Sequence, residues 1–261
     1  MKMKKIVSLV LAGLTAVSLA ACGSSSAKIT SIADLKGKTV GVQTGTTGDL
    51  YITDDKDTAV GKVERYSTAF EAVQSLSQGK IDAVIVDDQP AQAFVKQVSG
   101  LKILETAYTE EQYAIALKKG NSDLLTKLNS AIADLKADGT LDKIVSYYIE
   151  GTGETYKTPD GTSYPNGKLV MATNAQFQPY EYYDDNNTVI GIDADFAKAI
   201  CDKLGYELEI SDMEFDSIIT SVSAGKADFG MAGMTVTDER KQSVDFTDSY
   251  YTGKQVVIVK A

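Results

Sequence analysis

The chain has 261 residues, 43% hydrophobic and 24% charged, enough apolar content for an ordinary folded core in one large domain or two modest ones. Its 26 Lys and Arg against 36 Asp and Glu give a net charge of −10, which argues against a nucleic-acid partner that would need basic patches over phosphates. The sequence has no histidine, which excludes a Ser-His-Asp triad, a Cys-His pair and a His-built zinc site.

Lys2, Lys4 and Lys5 open the chain, and an apolar run from Ile6 to Ala21 follows. A basic segment before an apolar one has the form of a secretory signal, and the run is too short for a membrane span. Leu19-Ala20-Ala21-Cys22 resembles the lipobox of bacterial lipoproteins, with Gly23-Ser24-Ser25-Ser26 as a polar tether behind it. That resemblance implies cleavage before Cys22 and diacylglycerol on its sulfur. Each buried CH₂ of such an anchor contributes about 0.8 kcal/mol. A plain signal peptide with an incidental cysteine is the alternative.

Beyond the tether, strand and helix patterns alternate. Residues 39–43 predict a strand ending in the turn Thr44-Gly45-Thr46-Thr47-Gly48. Ser67 or Thr68 caps a helix through Phe70, Val73 and Leu76 that Gly79 stops. Residues 81–86 form a continuous apolar strand ending at Asp87-Asp88, and Asp88 is the expected cap of a helix at 89–98 with Pro90 in its first turn. A strand at 113–117 precedes an amphipathic helix at 122–138, built on Leu124, Leu128, Ile132 and Leu135, and a second helix at 141–149. Residues 150–167 carry four glycines and two prolines without an apolar face and read as a connector. Strand 168–173, helix 193–204, strand 207–211, helix 215–224 and strands 227–231 and 255–260 complete the series.

Cys201 lies on the apolar face of the helix at 193–204 as a buried, inert thiol. With Cys22 lipidated it has no disulfide partner, and no Cys cluster suggests a metal. The alternation argues for an α/β fold with largely parallel sheets. An echo between Gly79-Lys80-Ile81-Asp82 and Gly225-Lys226-Ala227-Asp228, each after a helix and before a strand, favours two similar lobes around a cleft. A recurring helix C-cap explains the echo almost as well.

Two long segments resemble halves of the polar amino-acid-binding proteins of ABC importers. One runs from Lys168-Leu-Val-Met-Ala-Thr-Asn174-Ala-Gln-Phe177-Gln-Pro179-Tyr180-Glu181 through Gly191-Ile-Asp193-Ala-Asp195 to Met231-Ala232-Gly233-Met234-Thr235-Val236-Thr237-Asp238-Glu239-Arg240. The other comprises Asp34-Leu-Lys-Gly37-Lys-Thr-Val-Gly41-Val-Gln-Thr-Gly45-Thr46-Thr47, Ile81-Asp82-Ala83-Val84-Ile85-Val86-Asp87 and Asp138-Gly139-Thr140. The resemblance implies a two-lobed type II periplasmic-binding-protein fold, a Venus flytrap.

The order of the segments departs from that family, in which a strand like Val256–Lys260 runs straight into a segment like Ile32–Gly37. Here the two stand at opposite ends, and the helix at 141–149 joins strand 168–173 through the connector, as in a circular permutation. Eighteen extended residues reach on the order of 60 Å, so the join is feasible. A recombined or truncated tandem gene is the alternative. The expected division is a signal at 1–21, a tether at 22–28, the small lobe at 29–110, and a hinge strand with terminal helices of the large lobe at 111–150. A connector at 151–167 and the core of the large lobe at 168–261 follow. On this division one lobe crossing stays covalent at 113–117 and the other is cut between Lys260 and Ile29, which would loosen the open state.

The resemblance assigns site residues one by one. Arg240, one of only two arginines, can fork onto a carboxylate; read alone it could pair with Asp238 or Glu239. Thr46 and Thr47 would donate to the same carboxylate, or form a plain turn. Asp87 would take the ammonium. Gly233 would let backbone approach the ligand and Thr235 would supply a hydroxyl. Phe177 and Phe215 match aromatics that sandwich the ligand side chain, or pack as ordinary core. Ala232 stands where histidine-binding relatives carry Ser and glutamine-binding ones Ala. Asn174 stands where both carry Asp, which suits an uncharged polar ligand and disfavours lysine and arginine, unless Asn174 touches nothing.

The implied function is a monomeric, lipid-anchored extracytoplasmic receptor that traps a polar amino acid and presents it to ABC permease subunits, with no cofactor and no metal. A dehydratase on the same fold would need a cleft acid, for which Asp87 and Glu181 are the candidates, recognisable by a strongly perturbed carboxyl without a charge partner. A sensory domain would need a fused membrane or kinase segment.

Overall fold

Buried Val40 and Val42, beside small Gly41, make the first strand the middle of a sheet in the computed structural model, which describes residues 28–261. The signal segment and Cys22 lie outside those residues. The first lobe begins with β1 (Thr39–Gln43), α1 (Thr47–Asp54), β2 (Lys62–Tyr66), α2 (Ala69–Ser77) and β3 (Ala83–Asp87). It continues with α3 (Asp88–Gln97), β4 (Leu101–Ile103) and β5 (Thr109–Tyr113). The second lobe takes β6 (Ala116–Lys118), α4 (Ser122–Ala137), α5 (Thr140–Val145), β7 (Lys168–Thr173), β8 (Gln176–Phe177), β9 (Glu181–Tyr183) and β10 (Val189–Ile190). It ends with α6 (Ile192–Leu204), β11 (Glu207–Asp212), α7 (Ile218–Ser223), β12 (Phe229–Gly230) and β13 (Val244–Phe246). The last strand, β14 (Tyr251–Lys260), returns to the first lobe.

The first sheet has the order β2-β1-β3-β14-β4, with β5 also pairing β14. Its β2, β1 and β3 are parallel, and β14 runs antiparallel to β3. The second sheet has the order β11-β7-β12-β6-β13, and β10-β9-β8 form a small sheet of their own. Strand β3 is buried at all five positions, as its unbroken apolar run requires. Helix α2 starts on a reciprocal Thr68–Glu71 capping box and buries Ala72, Val73 and Leu76. One continuous core joins the inner faces of both lobes, and two smaller clusters lie behind the sheets. Cys201 is buried and, among the described residues, unpaired. Among the described residues, no helix is long and apolar enough to cross a membrane, and no group of acidic or Cys side chains could hold a metal ion.

Several elements differ from the sequence-based expectation. The strand expected at 113–117 is two strands, β5 and β6, because the chain passes between the lobes at Ala114 and Ile115. There the Ala114 amide bonds the Met234 carbonyl and the Ile115 amide bonds Thr247. Asp88 is the first residue of α3 and Asp87 is its N-cap. The segment at 141–149 is the short α5 followed by a wider π turn, Ser146–Glu150. Helix α1 and strand β2 were not foreseen: α1 offers little apolar periodicity, and β2 is an edge strand of which the Lys62 and Arg65 side chains remain half open to solvent.

The second lobe crossing also differs. Strand β14 belongs to the first sheet, so the division between lobes falls near residue 250 rather than at the end of the chain. The crossing at 247–250 is covalent and runs beside that at 114–115, with the Tyr250 amide bonded to the Tyr113 carbonyl. Residues 28–29 and 259–261 instead line one hollow at the outer edge of the first lobe. Both crossings are continuous, so the expected loosening has no basis in this topology.

The connector is not loose. The Tyr148 hydroxyl and the Tyr156 amide bond the Asp195 carboxylate at 2.9 and 3.2 Å. The Tyr156 and Tyr164 hydroxyls bond Asp202 at 3.2 and 3.0 Å, about two turns further along the same face of α6.

Candidate functional site

Strand β3 delivers Asp87 to the gap between the lobes. Its carboxylate makes no capping bond to α3 and accepts instead from the Tyr113 hydroxyl. Gly253 makes this possible, because a Cβ there would overlap the Tyr113 ring. Asp87 is 5% exposed, and burial, with the Glu111 carboxylate nearby, pushes its carboxyl up to about 8.

Arg240 enters from the opposite lobe. The Arg240 amide, at the start of a short 3₁₀ turn, donates to the Thr237 hydroxyl at 3.1 Å. Nη1 donates to the Thr235 carbonyl at 2.7 Å, and Nη2 reaches across the gap to the Gly45 carbonyl at 3.1 Å. The guanidinium carbon lies 5.4 Å from the Phe215 ring centre. Arg240 bonds neither Asp238 nor Glu239; Asp238 pairs with Lys241.

The remaining expected residues close the same space. Asp87, Arg240, Thr46, Thr47, Asn174 and Phe177, together with Phe215, Ala232, Gly233 and Thr235, line one tight cavity between the lobes. Several of their polar groups are already engaged. Thr46 directs both its amide and its hydroxyl at the Gln43 carbonyl, and its oxygen caps α1 at the Asp49 amide. At that helix start, no backbone acceptor takes the amides of Thr47 and Gly48 among the described residues. The Thr235 hydroxyl donates to Glu111 at 2.9 Å. The Gly233 amide donates to Asp193 at 2.7 Å, and its left-handed backbone (φ +53°) puts its missing Cβ against the Phe177 ring.

Two further residues went unseen in the sequence: Gln43 lines the cavity, and Glu111 lies behind its Thr235 wall. Gln43, at the end of β1, donates to Asn174 Oδ1 at 3.0 Å across the gap, and Asn174 donates to the Met213 carbonyl at 2.9 Å. Glu111 accepts from Thr235 and from Gln255 Nε2 at 3.0 Å. Placing β5 four residues too late hid Glu111; alternation with Tyr113 would have turned it to the same face. The Arg240–Gly45 and Gln43–Asn174 bonds hold the lobes in a closed arrangement.

A buried cation and a buried carboxyl on opposite lobes of a small cavity match the two ends of a free amino acid. Comparison with known proteins finds relatives named for the amino acids they bind. ArtP of Bacillus subtilis (strain 168), an arginine-binding extracellular protein, is 44% identical over 93 residues, 36% of each chain. The L-cystine-binding protein TcyJ of Escherichia coli (strain K12) is 37% identical over 112 residues, 42% of this chain and 41% of its own. The crystal structure of arginine-bound domain 1 from TmArgBP is 40% identical over 36% of this chain and 81% of that one, with a TM-score of 0.33. The chain thus spans about 36% of ArtP's length in the match. The profile of one family covers nearly everything beyond the tether, matching residues 32–151 and 169–261 on either side of the connector. The chain belongs to the bacterial extracellular solute-binding proteins, family 3, a family of binding proteins rather than enzymes.

Proposed function

We propose that the chain captures a free polar amino acid between its lobes and delivers it to an ABC importer permease, as a monomer held to the membrane by a lipid on Cys22. The observation that carries this reading is the opposition of Arg240 and Asp87 across one buried cavity, neither of them in an ion pair among the described residues. The ligand carboxylate takes the guanidinium and the α1 amides of Thr47 and Gly48, the ammonium takes Asp87, and Phe177 and Phe215 flank the side chain. Closure shifts the population toward the state in which both lobes touch the ligand.

The far wall supports an uncharged side chain, because Asn174 is neutral and bonded to Gln43 and Met213. Arginine is the second reading, favoured by the names of relatives and by two aromatic rings able to flank a guanidinium. The reading includes a permuted chain order, supported by the meeting of residues 28–29 and 259–261 at one hollow.

The test is thermal unfolding of a soluble form starting at Ser24 against each of the twenty amino acids. Ligand at 100-fold over Kd adds about 2.7 kcal/mol, or roughly 5–10 °C for a chain of this size. A shift with neutral polar amino acids is expected, and a shift with arginine selects the second reading. A cooperative transition that no amino acid moves overturns both.

A further inference from the structure

Behind the cavity lies a second pair of buried carboxyls that the binding reading does not use. Glu181 on β9 is completely buried, and neither of its oxygens has a donor among the described residues. Asp193, also completely buried, stands beside it in the first turn of α6. Gly191 brings them together: its φ of +128° and missing Cβ let the helix start press on the Tyr180–Glu181 peptide, and the Asp193 amide bonds the Tyr180 carbonyl at 2.9 Å. Asp193 in turn accepts from the Gly233 amide at 2.7 Å and from the Tyr250 hydroxyl at 2.8 Å. Gly233 lines the cavity, and Tyr250 is the last residue of the second lobe crossing. One carboxylate therefore ties the ligand-facing loop to the crossing.

Two facing carboxylates without a cation would repel each other in a dry interior. A carboxylic acid facing a carboxylate supplies the missing donor. We infer that Glu181 is a positioning residue: as a neutral acid it donates its proton to Asp193, and this pair fixes the Gly233 loop and the Tyr250 crossing in the shape that binds the amino acid. Burial holds the Glu181 carboxyl well above the usual carboxylate range, reinforced by Asp193, by Asp87 on β3 and by Asp212 on β11. Burial also raises Asp193, to about 6, so it is the partner that ionises first. Burial and Asp193 keep the Tyr250 hydroxyl protonated as a donor.

Removing the shared proton at alkaline pH leaves two buried negative charges and loosens the network. Ligand affinity then falls by up to about tenfold per pH unit once Glu181 ionises, the limit for one linked proton. Folding stability falls in the same sense: a carboxyl whose folded pKa exceeds its unfolded one favours the folded state only while protonated. Stability therefore declines as pH rises above the ordinary carboxylate range through the folded value.

The test compares wild type with Glu181→Gln, whose amide keeps a donor toward Asp193 but cannot ionise. Amino-acid affinity and unfolding midpoint are measured from about pH 6 to about pH 10. Asp87 and the ligand ammonium titrate in both proteins, so the difference between the curves isolates Glu181. We expect E181Q to bind within about twofold of wild type at neutral pH and to lose less affinity at alkaline pH. Parallel curves overturn the inference, and so does a folded E181Q that fails to bind at neutral pH. The inference rests on the amino-acid reading of the cavity. If wild type binds no amino acid, that reading fails, and the unfolding midpoints alone decide: a steeper decline in wild type supports the shared proton and parallel declines overturn it. If E181Q does not fold, infrared spectra of Asp87→Asn at about pH 8 decide, since a surviving protonated-carboxyl band supports the inference and its absence overturns it.

Discussion

In the proposed site, Arg240 and Asp87 stay apart, each on its own partners, until a ligand joins them. Arg240 spends its donors on the carbonyls of Thr235 and Gly45, weak substitutes for a carboxylate. Replacing it by Met removes the fork while keeping much of the stem that packs by Phe215, and should cost about 2–5 kcal/mol of binding, read by calorimetry as a loss of at least tens-fold in affinity. Asp87 behaves differently because burial holds its carboxyl at about 8. At neutral pH it is mostly protonated, and an arriving ammonium favours its ionised form. Binding below pH 8 should release about one proton per ligand, and affinity should rise with pH up to that value. Calorimetry in two buffers of different ionisation enthalpy measures this directly, and Asp87→Asn should abolish the release along with most of the affinity. For folding the sign is reversed: protonated Asp87 suits the closed, buried state, so its contribution to stability is lost as pH rises from the ordinary carboxylate range toward about 8.

At the scale of elements, the connector has more structure than its composition suggests. Glycine and proline explain why residues 151–167 form no regular element, but not why they lie where they do. Tyr148, Tyr156 and Tyr164 converge on Asp195 and Asp202, two carboxylates seven residues apart on one face of α6. Replacing both aspartates by Ala should remove about 1–3 kcal/mol for each hydrogen-bonded carboxylate and open the connector to proteolysis. Limited digestion should cut the double variant between 151 and 167 well before wild type. Tyrosine spacing carries no period that reveals such a clamp, because its partners lie about forty residues away. The same distance limit explains the other gaps in the sequence reading. Long helices such as α4 and unbroken strands such as β3 were legible from local pattern, and the ten expected cavity residues were legible from motif. Gln43 and Glu111 became visible only when partners from other elements, Asn174 and Gln255, defined their faces.

At the scale of the whole molecule, two continuous crossings side by side make the lobes a hinged pair, and opening must break the Arg240–Gly45 and Gln43–Asn174 bonds. Replacing Gln43 by Ala removes one of the two clasps on the cavity. In small-angle scattering without added amino acid, Q43A should be more extended than wild type, and saturating amino acid should restore the compact profile. The chain order offers a further test of the same architecture. Lys28 and Ile29 border the hollow lined by Val259, Lys260 and Ala261, and the Ala261 amide bonds the Gly100 carbonyl, so residues 28–29 and 259–261 meet on the first lobe. A rearranged chain that begins at Lys168, joins Ala261 to Ile29 by a short flexible linker and ends at Glu150 retains every strand pairing and both crossings. It loses the connector with the Tyr156 and Tyr164 part of the clamp while keeping Tyr148 on Asp195, and the closure entropy of such a loop changes slowly with length. The rearranged protein should fold cooperatively, bind the same amino acid within a few-fold, and unfold at a midpoint lowered by roughly 5–10 °C through loss of the clamp. Failure of the rearranged chain to fold would show that the connector clamp, rather than the two lobes and their paired crossings, holds the second lobe together.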